Sequence, residues 1–220
     1  MNRLAIFDCD GTLVDSGGSI HRALRTAFEA HGLDCPPSQT SRKVIGLSLV
    51  EAMAMLAPDA DHEALSRTYK EAFFALRAGG EVEEPLFDGI LSLLDALEGD
   101  GWLLAVATGK SDRGLRHCLE SHGIHARFVS LQTADRHPSK PHPAMALAAL
   151  TEAGAAAHSS VVIGDTSYDM GMALAAGTGA IGAAWGYHEV SELAEAGAHG
   201  IAHAPREVLS LARQWVEKAV

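Results

Sequence analysis

The sequence predicts an α/β fold: a doubly wound parallel sheet with a small all-helical insert after its first strand. Short apolar runs carry this prediction, because strands buried on both faces of a parallel sheet are continuously apolar. The runs are residues 4–7, 103–107, 128–131, 161–163 and 180–183. Helix-like segments separate most of them, and such alternation along a chain is typical of a doubly wound sheet.

The segments between the runs carry helix start signals. Asp88 is a candidate N-cap for an apolar helix over residues 90–97, and Ser111 is a candidate N-cap for the helix after the second run. We expect these helices to cover both faces of the sheet.

Residues 17–83 interrupt the alternation, because they contain helical stripes but no run that suits a sheet core. The stripes are Ile20, Ala23, Leu24, Ala27 and Phe28, and then Leu65, Tyr69, Ala72, Phe73 and Leu76. A capping-box pattern from Ser48 to Glu51 starts a further short helix between them. We therefore predict a core domain of residues 1–16 and 84–220 and a helical cap domain of residues 17–83.

The composition favours a globular protein that acts on small molecules. The 220 residues include 17 Lys and Arg against 28 Asp and Glu, a formal net charge of −11. Such a chain lacks the basic footprint of a nucleic-acid or membrane-surface binder. Its three cysteines are widely spaced, and no segment suits a signal peptide or a membrane span. We expect a cytoplasmic protein, either a monomer or a homodimer, with no nucleic-acid or membrane partner.

Two carboxylates directly follow the first strand. Asp8 and Asp10 are separated by one residue and precede Gly11 and Thr12. Like charges this close need a cation or a shared proton, and oxygen ligands at the carboxyl end of a parallel strand suit Mg²⁺. Taken alone, the pair fits a magnesium site and a solvated loop with an Asx turn equally well.

Three later loops, each at the end of a predicted strand, hold residues that suit one phosphate group. They contain Thr108, Gly109 and Lys110 in the first, Lys140 in the second, and Asp165 and Asp169 in the third. A hydroxyl and a backbone amide beside a helix N-terminus together bind anions. Taken singly, each loop is also an ordinary turn, a surface lysine or a helix-dipole acid. Because the carboxyl ends of parallel strands meet at one edge of a sheet, we expect the loops to converge.

Together, four short motifs resemble those of the haloacid dehalogenase superfamily of aspartate-nucleophile phosphotransferases. They are Asp-x-Asp-Gly-Thr at 8–12, Thr-Gly-Lys at 108–110, Lys-Pro at 140–141 and Gly-Asp-x-x-x-Asp at 164–169. The resemblance extends along the whole chain and implies a Rossmann-like core. The helical insert resembles the small four-helix cap of the phosphoglycolate phosphatase-like members.

The resemblance implies a phosphatase that uses Mg²⁺ to hydrolyse a small phosphomonoester, either phosphoglycolate-like or a sugar phosphate. Asp8 would be the nucleophile that forms an aspartyl-phosphate. Asp10 would protonate the leaving group and then activate water. Thr108 and Lys140 would bind the phosphoryl oxygens. The implied Mg²⁺ ligands are Asp8, the Asp10 backbone carbonyl, Asp165 and, directly or through a partner, Asp169.

The cap selects the substrate in this family. Arg42 and Lys43 precede a glycine-containing turn at residues 45–47 that resembles the family's substrate-specificity loop. We expect both to bind substrate together with Gly109 and Lys110, and a cation there would suit a carboxylate or a second phosphate. The alternative is that Arg42 and Lys43 are ordinary exposed helix residues.

Other functions fit parts of the pattern. A phosphoacceptor receiver domain, which is not an enzyme, also uses an acid pair, a Thr and a Lys, but it is shorter and has no helical insert. A β-phosphoglucomutase-like phosphotransferase is the second alternative, although that branch has a cap His where this chain has Ile20. Asp10 and Thr12 argue against a dehalogenase, and the lack of a Lys near residue 21 argues against a phosphonatase.

Overall fold

The computed structural model describes residues 2–218, which contain one six-stranded parallel sheet. The strands are β1 (Asn2–Phe7), β2 (Trp102–Thr108), β3 (Phe128–Thr133), β4 (Ala155–Gly164), β5 (Gly179–Ala183) and β6 (Gly200–Ala202). Their order across the sheet is β3-β2-β1-β4-β5-β6. The chain thus winds one way from β1 to β3 and the other way from β4 to β6, which confirms the doubly wound sheet and opens a crevice at the carboxyl ends of β1 and β4.

Helices cover both faces of the sheet. The α-helices of residues 2–218 are α1 (Gly17–Ala30), α2 (Ser38–Arg42), α3 (Leu49–Leu56), α4 (His62–Ala78), α5 (Ile90–Gly99), α6 (Asp112–Ser121), α7 (Ala144–Ala153), α8 (Ser167–Ala176), α9 (Val190–Glu195) and α10 (Val208–Lys218), and α5 to α10 are the ones that cover the sheet. Helices α5, α6 and α10 pack on one face, where β1 contributes Ala5 and Phe7. Helices α7, α8 and α9 pack on the other, where β1 contributes Leu4 and Ile6. This alternation explains why β1 is apolar at every core position.

The predicted helical insert consists of α1 to α4. Helix α1 packs against α4, and their small core includes Leu24, Phe28, Met53 and Leu65. The division of the chain into a core and a cap domain at residues 16/17 and 83/84 stays a prediction. Within residues 2–218, no helix is long and apolar enough to cross a membrane.

Local details differ from the sequence-based expectations. Strand β6 was not predicted, because three residues are too few to show a pattern. Gly89, with φ +90°, takes the N-cap position before α5 in place of Asp88, since a left-handed backbone favours glycine. Ser48 precedes α3 as predicted, but its hydroxyl makes no capping bond. Ser111 does cap α6, because its Oγ accepts from the Gly114 N–H at 3.1 Å.

Candidate active site

Three buried carboxylates converge at the carboxyl ends of β1 and β4. Asp8 follows β1, Asp165 follows β4, and Asp169 lies in the first turn of α8. One oxygen from each lies within 4.8 Å of the others, and none of the three side chains is accessible to solvent beyond 1%. Burial, opposed by Lys140, raises the pKa of Asp8 to about 7. Burial and repulsion from its two neighbours also raise the pKa of Asp165.

Lys140 is the cation of this cluster. Its Nζ lies 2.9 Å from Asp8 Oδ1 and 2.6 Å from Asp169 Oδ1, with no exposed side-chain surface. Burial alone lowers a lysine pKa, but the carboxylates of Asp169 and Asp8 raise that of Lys140. One ammonium therefore serves a cluster of three carboxyl groups, so their charge is not fully compensated when all three are ionised.

The loop after β1 positions Asp165. Thr12 Oγ1 donates to Asp165 Oδ1 at 2.7 Å, and the Tyr187 N–H donates to Asp165 Oδ2 at 2.9 Å. Gly11 has φ +90°, and a Cβ there would lie 2.2 Å from Asp165 Oδ2. Only glycine fits at position 11, so the Asp165 carboxylate packs directly against the backbone of the first loop.

A capping box positions Asp169. Thr166 is the N-cap of α8, and its N–H and Oγ1 donate to Asp169 Oδ2 at 3.1 and 2.7 Å. Because Oδ2 is occupied, Asp169 presents Oδ1 to Lys140.

The donor set fits a hard divalent cation. Asp8 Oδ1 accepts from the Cys9 N–H at 2.6 Å and pairs with Lys140. Asp8 Oδ2 is buried and has no hydrogen-bond partner within residues 2–218. A buried carboxylate oxygen without a donor is costly, and a cation bound by oxygens compensates for it. Asp8, Asp165 and Asp169 are therefore the residues of this cluster suited to hold a metal ion.

Asp10 belongs to a second cluster. Ser16 Oγ donates to Asp10 Oδ1, and Lys110 Nζ lies 2.8 Å from the same oxygen. Lys110 Nζ also lies 2.7 Å from Glu84 Oε1, and Arg77 pairs with Glu84 Oε2 at 2.8 Å. The carboxylates of Asp10 and Glu84 raise the pKa of Lys110, although burial alone would lower it. Lys110 is therefore held as a cation between the two carboxylates.

A cavity of about 500 Å³ opens beside Asp10, between α4, the turn at residues 45–47 and the loop after β2. Gly109 and Lys110 line it on the core side. A Cβ on Gly109 would lie 2.2 Å from the Leu47 carbonyl oxygen. The absence of a side chain at Gly109 thus lets the turn close over the loop that carries Lys110.

The residues before the turn contact the core outside the cavity. Lys43 pairs with Glu192, and its carbonyl oxygen accepts from the Tyr168 hydroxyl at 3.0 Å. The Arg42 guanidinium lies over the Tyr187 ring, 5.6 Å from its centroid. Neither Arg42 nor Lys43 lines the cavity.

The family model for haloacid dehalogenase-like hydrolases matches residues 5–183. The chain belongs to the haloacid dehalogenase-like hydrolase family. A probable phosphatase of Dickeya dadantii, IndB, is 37% identical over 199 residues, which cover 88% of this chain and 86% of that protein. A phosphoglycolate phosphatase of Xanthomonas campestris is 32% identical over 189 residues, 84% of each chain.

A solved structure agrees with these relatives. The crystal structure of a hydrolase from Pseudomonas syringae superposes with a TM-score of 0.84 at 25% identity, and covers 97% of this chain and 99% of that one. Together with the family match and the relatives named as phosphatases, it places this haloacid dehalogenase-like protein among phosphatase enzymes.

The structure brings together most of the residues expected of a haloacid dehalogenase-like hydrolase. Those in the first cluster are Asp8, Lys140, Asp165 and Asp169, and those beside the cavity are Asp10, Gly109 and Lys110. Thr108 is buried at the end of β2, where its Oγ1 accepts from the Lys110 N–H at 3.2 Å. Their catalytic and ligand roles stay predictions, as do the substrate-binding roles of Arg42 and Lys43.

Two residues of the site were not foreseen. Glu84 is one of several acids in residues 81–84, and the sequence has no signal that singles it out. Tyr187 follows β5, and its hydroxyl accepts from the N–H groups of Ser16 and Gly17 at 3.0 and 2.8 Å. An aromatic residue just past the carboxyl end of a core strand was the signal available for Tyr187.

Proposed function

We propose that this protein is a Mg²⁺-dependent phosphatase that hydrolyses a small phosphomonoester through an aspartyl-phosphate on Asp8. The observation that carries the proposal is the buried trio of Asp8, Asp165 and Asp169 with a single lysine and an unpartnered Asp8 oxygen. Such a cluster suits a cation, which compensates the buried negative charge, and it leaves Asp8 Oδ2 available to attack phosphorus.

Asp8 acts first in the proposed reaction. Its carboxylate attacks phosphorus, and the bond from phosphorus to the leaving-group oxygen breaks. Lys140 holds Asp8 Oδ1 in place and supplies positive charge beside the phosphoryl oxygens. Thr108 is the last residue of β2, at the same edge of the sheet, and supplies a hydroxyl to those oxygens.

Asp10 transfers the protons. As the leaving-group oxygen departs, Asp10 protonates it, and the resulting carboxylate then takes a proton from the water that attacks phosphorus. The water cleaves the aspartyl-phosphate, releases inorganic phosphate and restores Asp8. Ser16 and Lys110 hold Asp10 Oδ1 during both steps.

Asp8, Asp165 and Asp169, with the backbone carbonyl of Asp10, would hold Mg²⁺. When bound, the ion would neutralise charge between the nucleophile and the phosphate. The phosphoglycolate phosphatases among the relatives favour a small leaving group, and phosphoglycolate or a sugar phosphate is the starting hypothesis for the substrate.

The direct test is phosphate release from a panel of phosphomonoesters by the purified protein, with and without Mg²⁺. We expect turnover that stops on complete chelation and returns when Mg²⁺ is restored. Asp8→Asn should abolish turnover while circular dichroism shows an unchanged fold. Full activity after chelation would refute the metal requirement, and full activity of the variant would refute Asp8 as nucleophile.

A further inference from the structure

The cavity beside Asp10 has an aromatic wall. Tyr69 and Phe73 lie one helical turn apart on α4, with ring centroids 5.9 Å from each other, and Phe74, which is exposed to solvent, also lines the cavity. Ile45 and Leu47 of the cap turn face the same space. Together these residues form an apolar wall that suits an uncharged group, whereas charged side chains such as Asp10 and Lys110 line the rest of the cavity.

The aromatic wall adjoins the proposed acid and base. Lys110 Nζ lies 5.9 Å from the centroid of the Phe73 ring and 2.8 Å from Asp10 Oδ1. A leaving-group oxygen protonated by Asp10 therefore places the rest of its alcohol against Phe73. This step rests on the proposed function, because it assumes that Asp10 meets the leaving group.

The two cations nearest Asp10 are already paired with carboxylates, whereas Lys70 and Arg113, which also line the cavity, are exposed to solvent. Lys110 pairs with Asp10 and Glu84, and Arg77 pairs with Glu84 while its guanidinium lies 5.2 Å from the centroid of the Phe73 ring. A carboxylate on the substrate would compete with these carboxylates for the same two cations. The charges beside Asp10 thus disfavour an acidic leaving group such as that of phosphoglycolate.

The volume of the cavity also argues against a small leaving group such as that of phosphoglycolate. About 500 Å³ is within the range of cavities that hold drug-sized ligands, and a two-carbon leaving group would leave most of it empty. A ring stacked against Phe73 and Tyr69 would fill the space with apolar and ring–ring contacts.

We propose that the substrates of this site are phosphate monoesters of alcohols that carry an uncharged aromatic ring, with the ring packed against Phe73 and Tyr69. The phosphoryl group lies at Asp8, the ester oxygen at Asp10, and the ring in the cavity between α4 and the cap turn. Phe73 is thus a specificity-determining residue of the proposed reaction.

The test compares 2-phenylethyl phosphate with ethyl phosphate and phosphoglycolate. The first two have alkoxide leaving groups of similar basicity, so any difference in their rates reports recognition of the ring. We expect kcat/KM for the phenylethyl ester to exceed that for the ethyl ester by roughly 10- to 100-fold, the scale of burying one ring. Phosphoglycolate should not be preferred over the phenylethyl ester.

Variants of Phe73 test whether the aromatic wall causes the preference for the phenylethyl ester over the ethyl ester. Phe73→Ala should reduce the ratio of the two kcat/KM values by about 10-fold, and Phe73→Leu should reduce it less, because leucine keeps part of the apolar surface. Leu147→Ala is the matched control, since Leu147 is an exposed apolar residue on α7, outside the cavity. That variant should keep the wild-type ratio.

Binding separates the two proposals. The Mg²⁺-treated protein is titrated calorimetrically with 2-phenylethylphosphonate and with ethylphosphonate, which cannot be hydrolysed at the carbon–phosphorus bond. Tighter binding of the phenylethyl compound without hydrolysis of either ester would support the ring site and refute the phosphatase proposal. Equal hydrolysis of both esters, or a preference for phosphoglycolate, would refute the ring site and leave the phosphatase proposal intact. If Phe73→Ala does not fold, Tyr69→Leu replaces it, and an unchanged ratio in the folded variant counts against the ring site.

Discussion

The two lysines of the site stand in different surroundings. Lys140 lies between Asp8 and Asp169, and all three residues come from segments that follow core strands, Asp169 from the first turn of α8. Lys110 lies between Asp10 and Glu84, and Glu84 comes from the segment that connects α4 to α5. Lys140 thus pairs with two residues that follow core strands, whereas Lys110 pairs with one such residue and with the chain that returns from the helical insert.

This difference separates two tasks. In the proposed reaction the Lys140 cluster binds the phosphoryl group, which every phosphate ester shares. The Lys110 cluster borders the cavity, and through Glu84 and Arg77 it contacts the end of the helix that carries the aromatic wall. We infer that the sheet determines the chemistry and that the insert with its connecting segment determines the substrate.

Replacing each lysine by methionine should give the largest difference between the two clusters. Lys140→Met leaves buried carboxylates without their cation, and we expect a loss of about 3 kcal/mol in the free energy of unfolding of the metal-free protein. Its kcat should fall at least about 10³-fold, since positive charge at the phosphoryl group is lost. Lys110→Met should lower kcat by only about 10- to 100-fold, because Ser16 still orients Asp10. Urea unfolding and steady-state kinetics measure both effects, and equal losses in the two variants would contradict the division of tasks.

The pH dependence of the free energy of unfolding should also distinguish the two clusters, by a smaller amount than the lysine variants do. In the metal-free fold, burial raises the pKa of Asp8 to about 7 from a usual value of 3.8. The folded state then keeps a proton that the unfolded state has released, so the free energy of unfolding decreases as the pH rises from about 4 to 7. We expect Mg²⁺ to raise the Tm more at pH 8 than at pH 5.

Asp8→Asn is the control for this titration, because the amide cannot ionise, and subtracting its profile removes the contribution of the histidines. The metal-free variant should lose less stability than the wild type between pH 5 and pH 8. Parallel Tm profiles for the two proteins would show that Asp8 is ionised at both pH values.

The smallest effects are expected at the cap residues that contact the core outside the cavity. Arg42→Ala and Lys43→Ala each remove a surface contact, with Tyr187 and Glu192 respectively. We expect kcat/KM to change less than about 3-fold on any ester, because exposed ion pairs contribute less than about 1 kcal/mol. A 10-fold loss confined to esters that carry a carboxylate or a second phosphate would support the substrate-binding role that the sequence suggested for these two residues.

The sequence predicts the Lys140 cluster well because each member follows a core strand. Once strands are recognised, parallel pairing brings their carboxyl ends to one edge, and Asp8, Asp165 and Asp169 converge without further information. The position of Lys110 was harder to predict. Its motif suggested an anion site, but the ion pairs with Asp10 and Glu84 depend on how the chain returns from α4.

The cap was predicted as helical but not in its contacts. The stripe containing Tyr69 and Phe73 has the period of a core-facing helix, and the two rings do lie on one side of α4. They border a cavity because the turn at residues 45–47 docks on Gly109, a contact between distant segments that no local pattern encodes. The same docking leaves Arg42 and Lys43 outside the cavity.

The central claim, a phosphoryl group carried by Asp8, is tested most directly in Asp10→Asn with p-nitrophenyl phosphate. The nitrophenolate leaving group needs no proton, so the first step proceeds, whereas hydrolysis of the intermediate lacks its base. We predict a burst of nitrophenolate of about one per enzyme and a peptide containing Asp8 that gains the mass of one phosphoryl group. Asp8→Asn should give neither. Steady turnover by Asp10→Asn without a burst, or a phosphorylated peptide that does not contain Asp8, would contradict the account.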